Sequence, residues 1–339
     1  MRLKPLHLIG LMTLAFAHMY GQPTNGPVYW STTQPDCSSI NNETPLPITD
    51  STGATIGYSC YVAGTFVWLA AGGGWGTSIR VAAPASAPIG VDYSFFTPAG
   101  NQLSLDTSGS YTQSASEVSF ALSANQPAQL NLLGTTGKKN STGSYPLATG
   151  SVYAVFLCPD AATCSNVLPQ LIYSALPSQP WSLSVPIAWD SQVWTQWSAE
   201  GVDDGTPEHR VSLVIYNAST AATTYTVDVY NSAGSLVGSA QTPSIPGQAN
   251  AEGGTYGVLL SSLIKTPLPS GIFKVLVDGG TANSAVEMLQ INGPSATTLQ
   301  VAFDSAPNAA AAAAAVQRSG VGRSRAEAIP RRVFPGLPE

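Results

Sequence analysis

Charge is scarce in this chain: Lys and Arg number 13 and Asp and Glu 19 among 339 residues. The shortage is uneven. Between His18 and Pro307, six basic residues (Arg80, Lys138, Lys139, Arg210, Lys265 and Lys274) stand against seventeen acidic ones, a net charge of −11. A surface of that sign repels phosphate backbones, which excludes nucleic acid as a partner of the folded part. Histidine is scarcer still, with three residues, of which His18 sits beside the expected leader cleavage site and His209 alone lies within the body. A Ser-His-Asp triad would have to use His209, no serine lies in a G-x-S-x-G elbow, and the expected reading is a surface loop histidine. The four cysteines include no C-x-x-C pair and no nearby histidine, which sets zinc aside. The run Gly72-Gly73-Gly74 is followed by no Walker lysine and opens no helical pattern, so a nucleotide site is not expected and a bulged or flexible strand entry explains the glycines. No metal and no cofactor is predicted. No window of the body holds a sustained 3.6-residue apolar period, which excludes a substantial helix.

One apolar run stands at the start, LHLIGLMTLAFA over 6–17, behind Arg2 and Lys4. It is shorter than the roughly 20 residues of a membrane span and ends in Ala15-Phe16-Ala17, so 1–17 is read as a signal peptide. No later run reaches spanning length without polar interruption, so no transmembrane segment is expected once the leader is cleaved. An even number of cysteines in an exported chain reads as disulfides. Of the three possible pairings, Cys37–Cys60 and Cys158–Cys164 are favoured because each pair is close in sequence and flanks turn-rich chain.

From Tyr61 onward, short runs alternate apolar and polar residues between Gly, Pro, Asn, Asp and Ser, at 78–82, 90–96, 117–122, 128–133 and 152–158. Period two with β-branched and aromatic residues predicts strands. Sliding the sequence by 134 positions lays Ser78-Ile79-Arg80-Val81 on Ser212-Leu213-Val214-Ile215 and Ala99-Gly100 on Ala233-Gly234 without a gap. A second set of strands follows at 210–216, 223–230, 257–263, 271–277 and 285–291. The expected architecture is all-β: two tandem immunoglobulin-like β-sandwich domains at 61–177 and 178–303, the second led by a Pro- and Trp-bearing linker in which Trp181 and Trp189 seal the interface. An irregular N-terminal extension at 18–60 and a disordered tail at 304–339, with a run of seven alanines at 309–315 and five arginines, complete the chain.

Ala71-Gly72-Gly73-Gly74-Trp75-Gly76-Thr77, then a strand, then Tyr93-Ser94-Phe95-Phe96-Thr97-Pro98-Ala99-Gly100, resembles the repeated β-sandwich modules of uncharacterised secreted bacterial proteins, with their GGGW-T … F-[FY]-x-x-x-G pattern. The likeness covers most of 61–173 and, less closely, 189–293, where Gly205-Thr206-Pro207-Glu208-His209 replaces the GGGW segment. It implies an immunoglobulin-like fold outside the cytoplasm and carries no catalytic residues to transfer.

Three groups of side chains are candidates for chemistry. Trp75, Trp194 and Trp197 are the ligand-binding candidates, because exposed indoles stack on sugar rings; core and interface packing is the competing reading. In Trp194-Thr195-Gln196-Trp197 the offset of three puts the rings on opposite faces of an extended strand, so one of them is expected to be exposed or at an interface. Glu200, Asp203, Asp204 and Glu208 form the densest acidic run, either a calcium loop or a solvated one. Glu117, Glu252 and Glu287 lie in or beside strands, where outward-facing charge is ordinary, and a glycoside hydrolase would need two carboxylates at fixed separation. The expected function is a secreted, periplasmic or envelope-associated structural or adhesion module without catalysis. Its expected partner is an extracellular polysaccharide or another envelope protein. A polysaccharide binder using exposed tryptophans and a hydrolase with an unrecognised carboxylate pair are the alternatives.

Overall fold

The computed structural model describes residues 26–40, 45–50, 53–174, 182–202, 209–248, 253–292 and 295–298, with backbone alone at 291, 292 and 295–298. The leader at 1–17, the tail at 304–339, Trp181, Glu252, and Asp203, Asp204 and Glu208 of the acidic run lie outside the described residues.

The described chain is predominantly antiparallel strand. In its first part the strands are β1 (Leu46–Thr49), β2 (Thr55–Ala71), β3 (Gly76–Ala82), β4 (Ile89–Phe96), β5 (Leu105–Gly109), β6 (Ser114–Ala115), β7 (Glu117–Leu122) and β8 (Pro127–Thr135). Then follow β9 (Ala148–Cys158), a short helix α1 (Ala161–Ser165), β10 (Gln170–Ser174), β11 (Ser182–Pro186) and β12 (Ala188–Trp189). The second part holds β13 (Gln196–Val202), β14 (His209–Asn217), β15 (Thr226–Asn231), β16 (Leu236–Gln241), β17 (Thr255–Leu259), a helical turn α2 (Leu260–Leu263), β18 (Ile272–Asp278), β19 (Ser284–Asn292) and β20 (Ser295–Thr298).

One sheet of the first unit runs β1-β2-β9-β4-β7 with β12 on β2, and the other β11-β10-β3-β8-β5-β6. The second unit runs β13-β18-β15-β16 and β17-β14-β19-β20. With β1, β5, β6 and β12 removed as additions, both units carry eight strands in one order: first-sixth-third-fourth in one sheet, and eighth-seventh-second-fifth in the other. The 134-residue offset is therefore a repeat of topology, with β3 answering to β14 and β4 to β15. Each unit closes over its own core. Phe66, Ile79, Tyr93, Phe120, Phe156 and Leu171 belong to the first, and Leu213, Val227, Leu260, Phe273 and Met288 to the second.

Alternation produces most of these strands. In β7, Val118, Phe120 and Leu122 are buried while Glu117, Ser119 and Ala121 are half-exposed, so one face drives the strand onto the core. β2 differs. Its 17 residues are buried on both faces over most of their length, because the N-terminal segment covers the outer side: Tyr29, Leu46 and Ile48 pack there with Tyr61, Tyr153 and Val155. The expected irregular extension to residue 60 is thus part of the fold, since β1 lies within it and β2 begins at Thr55, and Cys37–Cys60 ties it down. Cys158–Cys164 staples α1 to the end of β9. The expected strand at 257–263 stops at Leu259, where the chain turns helical because Leu260 and Leu263, three apart, both reach the core. Trp189, expected at the interface between the units, is half-buried against the first core, its ring meeting Phe156 edge-on at 6.0 Å.

Two local devices set the geometry. Trp75 N–H donates to the Gly72 carbonyl at 3.0 Å, with Gly73 and Gly74 at φ +60° and +91°, a type I′ turn that swings the chain from β2 in one sheet to β3 in the other. The GGGW segment is this corner. In the second unit the corresponding connection, between β13 and β14, is the acidic run at 203–208. Farther back along β2, Phe66 pairs with Val152 and Leu69 with Gly150, so three steps on β2 oppose two on β9. That is a β-bulge at Val67-Trp68.

Candidate binding surface

The bulge presents Val67 and Trp68 to the second unit, where they pack with Val193, Val214, Tyr216 and Ala285. Val214, Tyr216 and Ala285 belong to the outer face of the sheet containing β14 and β19, because their neighbours Leu213 and Ile215 enter the second core. A Cβ built on Gly257 would lie 2.9 Å from the Trp68 ring, so the indole sits directly on a glycine backbone. The Thr255 N–H donates across the joint to the Pro98 carbonyl at 2.9 Å.

Glu287 stands in register with Val214, and Val214 with Gly257, forming one row across this covered face. Glu287 is 4% exposed, and neither carboxylate oxygen has a hydrogen-bond partner among the described residues. An isolated carboxylate in such a place cannot hold its charge cheaply. Burial accordingly raises its carboxyl from the ordinary range to about 8. The expectation of an outward, solvated charge fails here because the outward side of β19 is covered by the first unit. Tyr173 lies close enough for its own ionisation to be opposed first by burial and then by the Glu287 charge, and its hydroxyl donates to the Trp68 carbonyl at 2.5 Å. Glu117 is half-buried on β7 in the first unit, and Glu252 is outside the described residues, so no carboxylate pair is assembled around Glu287 among the described residues.

The same row exists in the first unit under different chemistry. Gln170 pairs with Arg80, and Arg80 with Gln129, at the topological positions of Glu287, Val214 and Gly257. Here the row is open and floors a groove of about 420 Å³ whose apolar rim includes Ala82, Pro127 and Leu168, the last 77% exposed. Arg80 Nε donates to Gln129 Oε1 at 2.9 Å, Gln129 Nε2 to Asn131 Oδ1 at 2.7 Å, and Asn131 Nδ2 to Ser108 Oγ at 3.4 Å. A chain of amides thus runs outward along β8 to β5. A second groove, of about 400 Å³ on the second unit, sets Glu200 in register with Lys274, an arrangement with no net charge.

The three candidate tryptophans are not brought together. Trp75 is 37% exposed at the GGGW corner and meets Tyr173 edge-on at 6.1 Å. Trp197 is buried in the second core, where its indole N–H donates to the Ser284 carbonyl at 3.1 Å. It therefore presents no ring face to a ligand. Trp194 is half-buried against the same core. The open Arg80 row escaped the sequence reading. Its signal, polar residues at alternate positions of β3 and β8 around a lone arginine, was present but reads as any solvated face until the strand partners are known.

No helix among the described residues is long and apolar enough to cross a membrane. Comparison with family models, with curated proteins and with solved structures returned no match.

Proposed function

We propose that the protein is a non-catalytic, extracytoplasmic structural or adhesion module built as a tandem of two immunoglobulin-like sandwiches. The observation that carries this reading is the joint. Val67 and Trp68 of the first unit pack into an apolar cluster on the second, a junction suited to a spacer rather than to a cleft that closes on a substrate. In both units the second strand pairs with the fifth and the third with the sixth, as B with E and C with F in an immunoglobulin domain, whereas the first and seventh strands have exchanged sheets. Two disulfides support an oxidising compartment, in line with the leader read at 1–17. The test is fractionation of cells making the full chain, with peptide mapping of the thiols. The expected result is a product in the periplasmic, envelope or culture fraction, shortened at its N-terminus and carrying both disulfides. A cytoplasmic product with four free thiols overturns the reading.

A further inference from the structure

We infer that the open Gln170–Arg80–Gln129 row is a binding site for a carboxylated oligosaccharide. The inference rests on the adhesion reading and names what is adhered to. The fold uses the equivalent row of the second unit as a docking position, where it carries the Trp68 ring against Gly257. In the first unit Arg80 stands where Val214 stands in the second, and glutamines stand where Glu287 and Gly257 do. Apolar docking of the same kind is excluded by that exchange, because it would bury the Arg80 charge without a counter-charge and the Gln170 amide without a partner.

The groove instead combines the two surfaces a sugar ring presents. Ala82, Pro127 and Leu168 form an apolar rim suited to ring C–H groups, and Gln129, Gln170 and Ser110 offer donors and acceptors suited to ring hydroxyls. Charge selects among sugars. Acidic residues far outnumber basic ones in the body, yet none lines this groove and Arg80 does. Its Nε is engaged by Gln129, and its terminal nitrogens make no hydrogen bond among the described residues. A guanidinium edge left over in this way is matched by a carboxylate, which it can hold through two parallel bonds. The amide chain through Asn131 to Ser108 continues beyond the groove, so the ligand is an oligomer crossing β3, β8 and β5 rather than a single sugar.

Titration calorimetry of the full chain against oligogalacturonate, oligomannuronate and hyaluronan fragments tests the inference, with methyl-esterified oligogalacturonate and inorganic phosphate as controls. At least one carboxylated oligomer binds, its affinity falls at least about tenfold on esterification or on Arg80→Gln, equivalent to about 1.4 kcal/mol, and the Arg80→Gln protein melts with the parent. The inference is overturned if no carboxylated oligomer binds below about 10 mM, if the ester or Arg80→Gln binds equally well, or if inorganic phosphate binds as tightly as the oligomers. Correct export with both disulfides and no glycan binding would sink this site alone. Cytoplasmic retention would sink the adhesion reading first.

Discussion

Glu287 offers the sharpest quantitative test of the joint between the units. Its carboxyl titrates near 4.5 in an exposed chain and at about 8 where it is buried. Across that window the folded protein holds one proton that the unfolded chain has released. Stability from this group is complete below the unfolded value, falls as pH rises through the window, and is lost once pH passes the folded value. The slope is about 1.4 kcal/mol per pH unit, so raising pH from 5 to 7.5 removes about 3 kcal/mol. Glu287→Gln keeps the volume and cannot ionise. Urea unfolding of the two proteins, followed by tryptophan fluorescence at pH 5, 6, 7 and 7.5, should show the variant gaining on the parent by that amount over the series. The comparison across pH cancels the intrinsic difference between a buried amide and a buried acid. A stability difference that stays constant from pH 5 to 7.5 would refute the reasoning, for it would mean that Glu287 keeps the same protonation in both states.

Other outcomes follow from the geometry. Gly257→Ala drives a methyl into the Trp68 ring and should cost about 1–3 kcal/mol while lengthening the particle in small-angle scattering; an unchanged profile and midpoint would mean that the indole does not rest on that glycine. Gly73→Ala places a side chain at φ +60° beside Leu147 and should lower stability by at least about 1–2 kcal/mol, read from the melting temperature. Removing Cys37–Cys60, with a sequence separation of 23, should destabilise by about 3 kcal/mol on the chain-entropy model, against about 2 for Cys158–Cys164 with a separation of 6. Equal losses for the two Cys→Ser pairs in urea would show that loop length does not govern them.

Strands with one wet face were legible. β3, β7 and β8 announce themselves by alternation, and the offset that lays Arg80 on Val214 places β14 in the same position of the second unit. β2 was not among the expected strands, because Tyr29 and Leu46 bury its outer side and erase the polar half of the pattern. Glu287 misled for the same reason. A glutamate at an outward position of β19 is ordinary on an isolated sheet, and only the arrival of Trp68 and Tyr173 from the first unit makes it buried. The tryptophans were read by type, whereas their fate depends on neighbours: Trp197 finds the Ser284 carbonyl across the core, and Trp75 finds Tyr173 at the corner. The Arg80 groove draws on β3, β8 and β10, which are adjacent in the sheet and scattered along the chain.

The bulge in β2 bears on how the protein tolerates gain and loss of residues. Phe66 and Leu69 both enter the first core although they are three positions apart, which a regular strand would forbid. Shortening the chain by Val67 alone would leave them two apart, still on one side, with the ladder to β9 uninterrupted. Such a deletion would spare both cores while removing Val67 from the joint and cancelling the projection of Trp68 toward Gly257. One residue of chain length thus sets how much apolar surface the first unit offers the second, and an in-frame deletion there would leave the Thr255–Pro98 hydrogen bond to carry more of the joint.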